Sequence, residues 1–245
     1  MGHFFTTYLH DPIYNLLIAF VGVVPAGDIG LAVIAVTLIV KFATMPLSFS
    51  MIRTQVAMKA LEPGLRDIKE AHKDDREAQA KETLALYRKY RVNPFSSILL
   101  VFIQIPILIA LYWVFRGESL PQIDAEVLYS FIRLPEHIQT EFLGIFPMVG
   151  KSIVLAVAAG LTQAAQAWLS IPQPAHTGTK TLAEDFGRAM ALQARYVIPV
   201  VIAFAAYATS GAVALYFVTS NLFGVAQELY VRKSGMRGPK LPATI

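Results

Sequence analysis

Cysteine is absent from this 245-residue chain, and charged residues are scarce. The absence of cysteine excludes a disulfide framework, thiolate metal sites and a cysteine-borne lipid anchor within this sequence. Only 16% of the residues are charged, whereas a soluble domain typically carries about 25%. Hydrophobic residues make up 55% of the chain, and they form long blocks around one dense charged segment. This distribution is typical of a polytopic membrane protein.

Patterns that carry catalytic or metal chemistry are also missing. The five histidines are scattered without metal-ligand spacing, and no HExxH, phosphate-loop or GxSxG pattern occurs. We therefore predict no enzymatic activity, no catalytic residue, no metal site and no cofactor.

A net charge of +4 would favour nucleic-acid binding in a soluble protein. In a membrane protein the excess of Lys and Arg is better explained by the positive-inside rule, which keeps basic loops in the cytoplasm. We therefore predict no nucleic-acid specificity.

Five segments are apolar enough to be membrane spans, since a span needs about 20 apolar residues. We predict spans at residues 28–56, 93–116, 148–171, 196–209 and 210–231. The last two share a block of 32 residues, 196–227, that carries no charge. One helix of that length would extend about 48 Å, beyond a hydrocarbon core of about 30 Å. The stretch YATSG in its middle predicts a turn; the alternative is one strongly tilted helix.

The N-terminal region, residues 1–27, is predicted to lie along the membrane surface. Its apolar stretch from His10 to Val24 carries scattered polar residues and ends at VPAGD, which favours an interfacial amphipathic helix. A sixth span is the alternative, but these roughly fifteen residues are short for one. Asp11 and Pro12 interrupt the start and no basic n-region precedes them, so we expect no secretory signal.

Residues 57–92 form the dense charged segment and are predicted to fold as a helical hairpin. The pieces ALEPGLRDIKEAHK and REAQAKETLALYRKYR have helical periodicity, with KDD as the break between them. Apolar residues recur on one face of each piece: Leu61, Leu65 and Ile68, then Leu84, Tyr87 and Tyr90. Two such helices with a short connection make an antiparallel hairpin. Asn93 and Pro94 end it.

Charge asymmetry sets the predicted orientation. The loop at 117–147 contains one basic residue, Arg133, against five acids, whereas the hairpin, the loop at 172–195 and the tail at 232–245 are rich in Lys and Arg. Positive segments stay in the cytoplasm. We therefore predict a plasma-membrane protein with its N-terminus and acidic loop outside and its C-terminus inside. Five spans satisfy this alternation, and four would place the tail on the wrong side.

Lys41 lies in the middle of the first span, where a lysine costs about 2.5–3.5 kcal/mol on insertion scales. Snorkelling is the ordinary explanation, but either end of the segment is about eleven residues, roughly 16 Å, away. Thr37, Thr44 and Ser48 share the helix face of Lys41, because the four residues are spaced four, three and four apart. The opposite face is apolar, which predicts a helix with its polar side turned inward.

Polar residues also recur along one side of three other predicted spans. They are Ser97 and Gln104 on the second span, Thr162, Gln163, Gln166 and Ser170 on the third, and Thr209, Tyr216, Ser220 and Gln227 on the last. Each alone is more simply an interhelical hydrogen bond. Together with a cation they favour a water-filled cavity that attracts an anion.

These features, taken by themselves, are compatible with two functions. An anion channel or carrier would use Lys41 as its selectivity charge, although neither inverted repeats nor a filter motif is present. A structural assembly factor would bind partners through the apolar faces of the hairpin alone, and it would be indifferent to Lys41.

The sequence resembles the YidC/Oxa/Alb family of membrane-protein insertases over about residues 8–233. Four ordered motifs carry the resemblance: LIVKFATMPLSFSMIRTQ with the hairpin up to ALYRKYRVNP, IQIPILIALYWVF, AGLTQAAQAWLS and SGAVALYFVTSNLFGVAQELYVRK. The resemblance implies an all-α polytopic fold with five transmembrane helices, a cytoplasmic antiparallel hairpin and an N-terminal interfacial helix. It also implies a hydrophilic groove that is open to the cytoplasm and to lipid.

In such a groove the cation receives the hydrophilic tail of a nascent membrane protein, and the hydrophobic segment then leaves into the bilayer, with or without the Sec translocon. The implied groove residues are Lys41, Thr37, Thr44, Ser48, Gln104, Thr162, Gln163, Gln166, Tyr216, Phe217 and Ser220. The implied recruitment residues of the hairpin are Leu61, Leu65, Ile68, Leu84 and Tyr87. The implied partners are nascent membrane proteins and the lipid bilayer, with the Sec translocon and the ribosome as further candidates and a monomer as the functional state.

The chain departs from the family pattern at two groove positions. Most bacterial members carry arginine where this chain has Lys41, and lysine is a point charge without the bidentate fork of arginine. Phe217 replaces the usual tryptophan of the last span. The short basic tail also argues against strong ribosome binding.

Overall fold

The computed structural model describes residues 3, 6–73, 75–90, 109–110, 112–114, 123–171 and 189–234. Two compact units divide the chain: unit 1 comprises Met1–Ala43 and Gln104–Ala226, and unit 2 comprises Thr44–Ile103 and Gln227–Ile245. Most of the second predicted span, most of the loop at 172–195 and most of the tail lie outside the described residues. What is described is mostly helical, as the sequence predicted.

The first two helices differ in length and surroundings. A π-helical turn, Thr6–His10, leads into α1, Asp11–Val21, and a short 3-10 turn, Pro25–Gly27, follows it. Helix α2 then runs without a break over Ile29–Ala71, with Pro46 and Pro63 inside it. The sequence placed a boundary between the first span and the hairpin near residue 57, but no cap or turn residue stands there. The helix therefore continues out of its apolar part into its charged part.

The remaining helices follow in sequence order. Helix α3 spans Arg76–Lys89, α4 spans Ile153–Ser170, α5 spans Ile198–Ala208 and α6 spans Gly211–Lys233. A π-helical turn, Gln193–Val197, precedes α5. Such a turn accommodates Pro199, which has no N–H to donate to the preceding turn. Within the described residues the helical run is already present at residue 189, seven residues before the predicted start of the fourth span at 196.

Three helical stretches of the described residues are long and apolar enough to cross a membrane: Ile29–Met58, Ile153–Ser170 and Ala189–Ala208. They correspond to the first, third and fourth predicted spans. Between α5 and α6 the helix is interrupted at Thr209 and Ser210, and Gly211 begins a new helix. The charge-free block at 196–227 is therefore not a single tilted helix.

In unit 2 the second half of α2 packs against α3. The side chains of Ala57 and Leu61 on α2 form a buried cluster with Tyr90 at the end of α3. Asp75 caps the N-terminus of α3, because its carboxylate accepts hydrogen bonds from the backbone N–H groups of Glu77 and Ala78. The cap and the cluster hold α3 against α2 across a break of a few residues.

In unit 1 the segment from 123 to 152 forms an ordered layer over the ends of the helices. It includes a short antiparallel pair, β1 at Glu141–Phe142 and β2 at Phe146–Pro147, which the sequence did not predict. Asp28 pairs in parallel with Gln139 through a single bridge. We refer to residues 123–152 as the cap loop. Its acidic composition had predicted a loop but not this architecture.

Candidate functional site

Lys41 lies on α2 one residue before a contact with the last helix. The rings of Phe42 on α2 and Phe223 on α6 meet edge to face, with their centroids 5.2 Å apart. Lys41 itself is half-buried. The turn of α2 that carries the predicted groove cation therefore packs on α6 at the level of residue 223.

Helix α4 meets the same turn of α6 through polar contacts. The side-chain amide of Asn221 donates to the hydroxyl oxygen of Thr162 at 3.3 Å and to the carbonyl of Ala159 at 3.4 Å. One turn along, the side chain of Gln166 packs over Gly224, since a Cβ added there would lie 2.4 Å from the amide nitrogen of Gln166. Thr162 and Gln166 thus face α6 directly.

The contacts of α2 with α6 and of α4 with α6 bring predicted groove residues of all three helices to one level of unit 1. Helix α6 is the common partner, and its residues 221–224 touch α2 on one side and α4 on the other. Small residues at 159 and 224 let the helices approach closely, as is typical of helix packing in membranes. The turns of α2 and α4 that carry Lys41, Thr162 and Gln166 thus lie against the same part of α6, and their role as a groove stays a prediction.

Several hydroxyl groups of the predicted stripe bond to their own helices. Thr37 donates to the carbonyl of Val33 at 2.6 Å, Ser48 to that of Thr44 at 3.2 Å, and Thr162 to that of Ala158 at 2.8 Å. A hydroxyl bonded in this way is satisfied with or without water. These polar residues therefore fit a groove wall without requiring a partner helix.

The other predicted groove residues differ in exposure. Tyr216, Phe217 and Ser220 are buried, and the rings of Tyr216 and Phe217 lie 5.6 Å apart. Thr37 is buried as well, whereas Gln163 is half-buried. Thr44 and Ser48 belong to unit 2 and are half-buried there. Gln104 and Ser97 lie outside the described residues.

The outward face of α4 is an apolar stripe. Val154, Val157, Leu161 and Trp168 follow one another at intervals of three, four and seven residues, and each is more than half exposed. On α5, Val200 and Phe204 are similarly exposed. Apolar stripes of this extent are covered by lipid in a membrane protein.

The cap loop is fastened to α1 by buried polar residues that the sequence analysis missed. Asn15 donates to the carbonyl of Val127 at 2.9 Å and accepts from the N–H of Tyr129 at 2.7 Å. The hydroxyl oxygen of Tyr14 accepts a hydrogen bond of 2.8 Å from the N–H of Asp124. Burial raises the pKa of the Tyr14 phenol. The apolar face of α1 is thus largely buried against protein.

The same loop meets the beginnings of α2 and α6. Ile29 donates its N–H to the carbonyl of Gln139 at 3.1 Å. Gly211 and Ala212 donate theirs to the carbonyls of Gly150 and Met148, at 2.8 and 3.0 Å. Helix α4 starts directly after the loop, at Ile153, and α5 ends at the turn before Gly211. One end of unit 1 is therefore covered by hydrogen-bonded backbone.

The apolar residues of the predicted hairpin mostly contact one another. Leu61 is fully buried, and Leu65 and Tyr87 pack against its cluster. Burial raises the pKa of the Tyr87 phenol. Ile68 is half-buried, whereas Leu84 is 53% exposed. Of the five residues predicted to recruit substrate, Leu84 thus presents the most open apolar surface.

Two buried charged residues were also not singled out by sequence reasoning. The guanidinium of Arg195 donates to the carbonyl of Ile171 at the end of α4. Glu228 on α6 is buried and pairs with Arg232 at 2.8 Å. The i, i+4 spacing of Glu228 and Arg232 was the available signal for the second pair. Arg195 carried no such signal, because its partner lies 24 positions away.

Comparison with known proteins gives the same assignment as the motifs. The family model described as "60Kd inner membrane protein" matches residues 20–238. The chain belongs to the 60Kd inner membrane protein family. The resemblance to YidC/Oxa/Alb proteins is thereby confirmed, and the apolar helices fit a multi-pass inner membrane protein.

Curated relatives within this family carry the name membrane protein insertase YidC. One from Clostridium tetani is 29% identical over 210 residues, which are 85% of this chain and 84% of the relative. One from Francisella tularensis subsp. novicida is 31% identical over 207 residues, 84% of this chain but 33% of the relative. The chain thus spans most of the clostridial relative and about a third of the Francisella relative.

Proposed function

We propose that this chain is a membrane protein insertase and not an enzyme. The observation that carries the proposal is the meeting of α2, α4 and α6 at residues 221–224, which gathers the turns of Lys41, Thr162 and Gln166. The name shared by the relatives from Clostridium tetani and Francisella tularensis supports the same function. The anion channel or carrier finds no such support.

In the proposed mechanism, Lys41 receives the hydrophilic tail of a nascent membrane protein. A charged tail loses its hydration on entering a bilayer, and a cation in a wet groove offsets part of that cost. Water keeps the effective dielectric high, so the attraction remains weak enough for the tail to leave again. Within unit 1, Thr37, Gln163 and Gln166 supply further polar contacts along the groove.

The substrate's hydrophobic segment then passes into lipid beside α4. The exposed stripe from Val154 to Trp168 provides an apolar surface that such a segment can follow without crossing a polar barrier. The buried pair Tyr216 and Phe217 stiffens the adjoining part of α6. No nucleotide-driven step is needed, because burial of apolar surface in lipid is itself favourable.

The cap loop supports a groove that is closed at one end. Its hydrogen bonds to the starts of α2 and α6 leave little exposed backbone for a tail to pass. We assign this end to the extracytoplasmic side, because the loop is acidic, whereas the sequence segments 57–92, 172–195 and 232–245 are rich in Lys and Arg. The proposed function also includes five membrane spans and a cytoplasmic hairpin that recruits substrate. The Sec translocon and the ribosome are its further candidate partners.

The deciding experiment replaces Lys41 by Arg, Ala and Glu in cells depleted of their own insertase. Growth and insertion of a single-span substrate with an acidic tail are scored, with each variant's membrane level measured. Lys41→Arg should support insertion, whereas Lys41→Ala and Lys41→Glu should reduce it at least tenfold, equivalent to about 1.4 kcal/mol. Lys151→Glu, which makes the same charge change within the cap loop, is the matched control and should insert normally.

A reconstituted assay separates the insertase from a channel. Purified protein in liposomes should insert the substrate and should give no anion flux when substrate is absent. Full insertion by Lys41→Ala would remove the groove cation from the mechanism, and flux that depends on Lys41 without substrate would favour the channel instead.

A further inference from the structure

A pocket lies where α1 ends and the first membrane-crossing helix begins. It has a volume of about 350 Å³, within the about 300–1,000 Å³ of small-molecule sites. One wall is formed by the chain between α1 and α2, and the other by five consecutive residues of the cap loop. The lining residues are Val21, Gly22, Val24, Ala26, Gly27, Arg133, Leu134, Pro135, Glu136 and His137.

The two walls are held together by backbone contacts. Gly27 has a left-handed conformation with φ of 63°, and an added Cβ would lie 2.0 Å from the carbonyl oxygen of His137. Gln139 donates its N–H to the carbonyl of Gly27 at 2.9 Å. Only glycine allows this approach at position 27. The pocket is therefore preformed, which lowers the ordering cost of binding.

The pocket lies next to the start of a helix that is long and apolar enough to cross a membrane. The apolar stretch that can cross the membrane begins at Ile29, two residues after the wall residue Gly27. Next to the pocket, Val23 is 81% exposed and Phe131 is 79% exposed. Leu134, which lines the pocket, is also mostly exposed. Apolar side chains at the start of a span are covered when they enter the bilayer interface.

The lining of the pocket carries charged residues of both signs. Arg133 is the only basic residue of the 117–147 loop, and Glu136 and His137 lie beside it in the lining. A guanidinium binds a phosphate through paired N–H groups. A carboxylate and the C-terminal end of a helix, here α1, both favour a cation. A zwitterionic ligand that carries both a phosphate and an ammonium has a charge to match each of these groups.

We propose that the pocket binds the headgroup of phosphatidylethanolamine, a zwitterionic phospholipid, with its phosphate at Arg133 and its ammonium at Glu136. The lipid's acyl chains lie along the exposed apolar side chains of Val23, Phe131 and Leu134. Such a lipid joins α1 to the cap loop at the membrane surface. This site is separate from the Lys41 groove and does not depend on the insertase function.

Native mass spectrometry of the full chain, purified with equal amounts of phosphatidylethanolamine and phosphatidylglycerol, tests the proposal. The parent protein should retain phosphatidylethanolamine preferentially. Arg133→Ala should lower the retained amount about threefold, as expected for one charge contact of an exposed residue. Glu136→Gln should abolish the preference while phosphatidylglycerol retention stays unchanged. Lys151→Ala and Glu126→Gln, which change charges of the cap loop outside the pocket, should match the parent.

The outcomes are decisive in both directions. Equal retention of the two lipids by the parent, a preference for phosphatidylglycerol that needs Arg133 alone, or parent-like retention by both variants would overturn the proposal. Glu136→Gln is isosteric, so it decides the headgroup preference even if Arg133→Ala lowers stability.

A depth measurement supplies an independent readout. Because the chain has no cysteine, Leu134→Cys introduces a unique position for a fluorescent label. In vesicles, a nitroxide on the lipid headgroup should quench this label more strongly than a water-soluble quencher does. Quenching by the water-soluble reagent alone would place the pocket away from the bilayer and reject the lipid site.

Discussion

Asp28 and Leu143 are joined by a hydrogen bond although 115 positions separate them in the chain. One carboxylate oxygen of Asp28 accepts from the backbone N–H of Leu143 at 2.8 Å. The other oxygen accepts from the N–H groups of Gly30 and Leu31, at 2.7 and 3.1 Å. A single buried side chain therefore caps the first turn of α2 and fastens the cap loop above it.

Replacing Asp28 should weaken both functions of the carboxylate. Loss of an N-cap costs about 1–2 kcal/mol, so Asp28→Ala should lower the melting temperature and expose the cap loop to protease. Asp28→Asn keeps one acceptor oxygen and should fall between alanine and the parent. Asp75→Ala, which removes the exposed cap of α3, is the control. If the loop is cleaved equally in Asp28→Ala and Asp75→Ala, the link to Leu143 has no stabilising role.

Gly160 should tolerate no side chain, because α4 and α5 approach closely there. An added Cβ would lie 2.8 Å from the Cβ of Ala203 and 3.1 Å from the carbonyl of Pro199. Gly160→Ala should destabilise the protein by about 1–3 kcal/mol, as overpacking does, in thermal unfolding in detergent. Gly22→Ala, whose added Cβ would have its nearest neighbour at 3.5 Å, is the matched control.

The double variant with Gly160→Ala and Ala203→Gly tests the cause. It removes the 2.8 Å clash by trading one methyl group for the other, so part of the lost stability should return. Additive losses in the double variant would show that the Ala203 contact does not limit position 160.

Asn221 and Thr162 should be energetically coupled. The Asn221 amide donates to the Thr162 hydroxyl and to the carbonyl of Ala159, so Asn221→Ala should cost more than Thr162→Val. A double-mutant cycle should give a coupling of about 0.6 kcal/mol, the average for hydrogen bonds between membrane helices. Unfolding in mixed micelles measures it. Strictly additive effects would mean that the amide bonds to Ala159 alone.

Two leucines of the charged segment should separate stability from recruitment. Leu61 is fully buried, so Leu61→Ala should destabilise unit 2 by about 2–5 kcal/mol and accelerate hydrogen exchange in α3. Leu84 is 53% exposed, so Leu84→Ala should change stability by less than about 0.5 kcal/mol.

On the proposed function, Leu84→Ala should nevertheless slow substrate insertion at a normal protein level. Lys81→Ala, an exposed change on the same helix, controls for the surface in general. Unchanged insertion in Leu84→Ala would leave the hairpin a structural element.

Local patterns in the sequence were enough to indicate much of the helical fold. Hydropathy and length predicted the spans that correspond to Ile29–Met58, Ile153–Ser170 and Ala189–Ala208, because burial in lipid depends on composition over about 20 residues. The start of the last of these was predicted at residue 196. The polar spacing around Lys41 follows from the geometry of one helix. The motif order was specific enough to identify the family.

Contacts between distant residues were decided by the tertiary structure alone. Asn15 bonds to residues 112 and 114 positions away, and periodicity indicates which face is apolar but not what covers it. The same reason explains why Tyr216 and Phe217 are buried, why Leu61 and Tyr87 contact each other's helices, and why the cap loop is ordered. The sequence by itself determined the helices and their polar stripe, whereas long-range hydrogen bonds and close packing at Gly160 and Gly224 decided how unit 1 brings those stripes together.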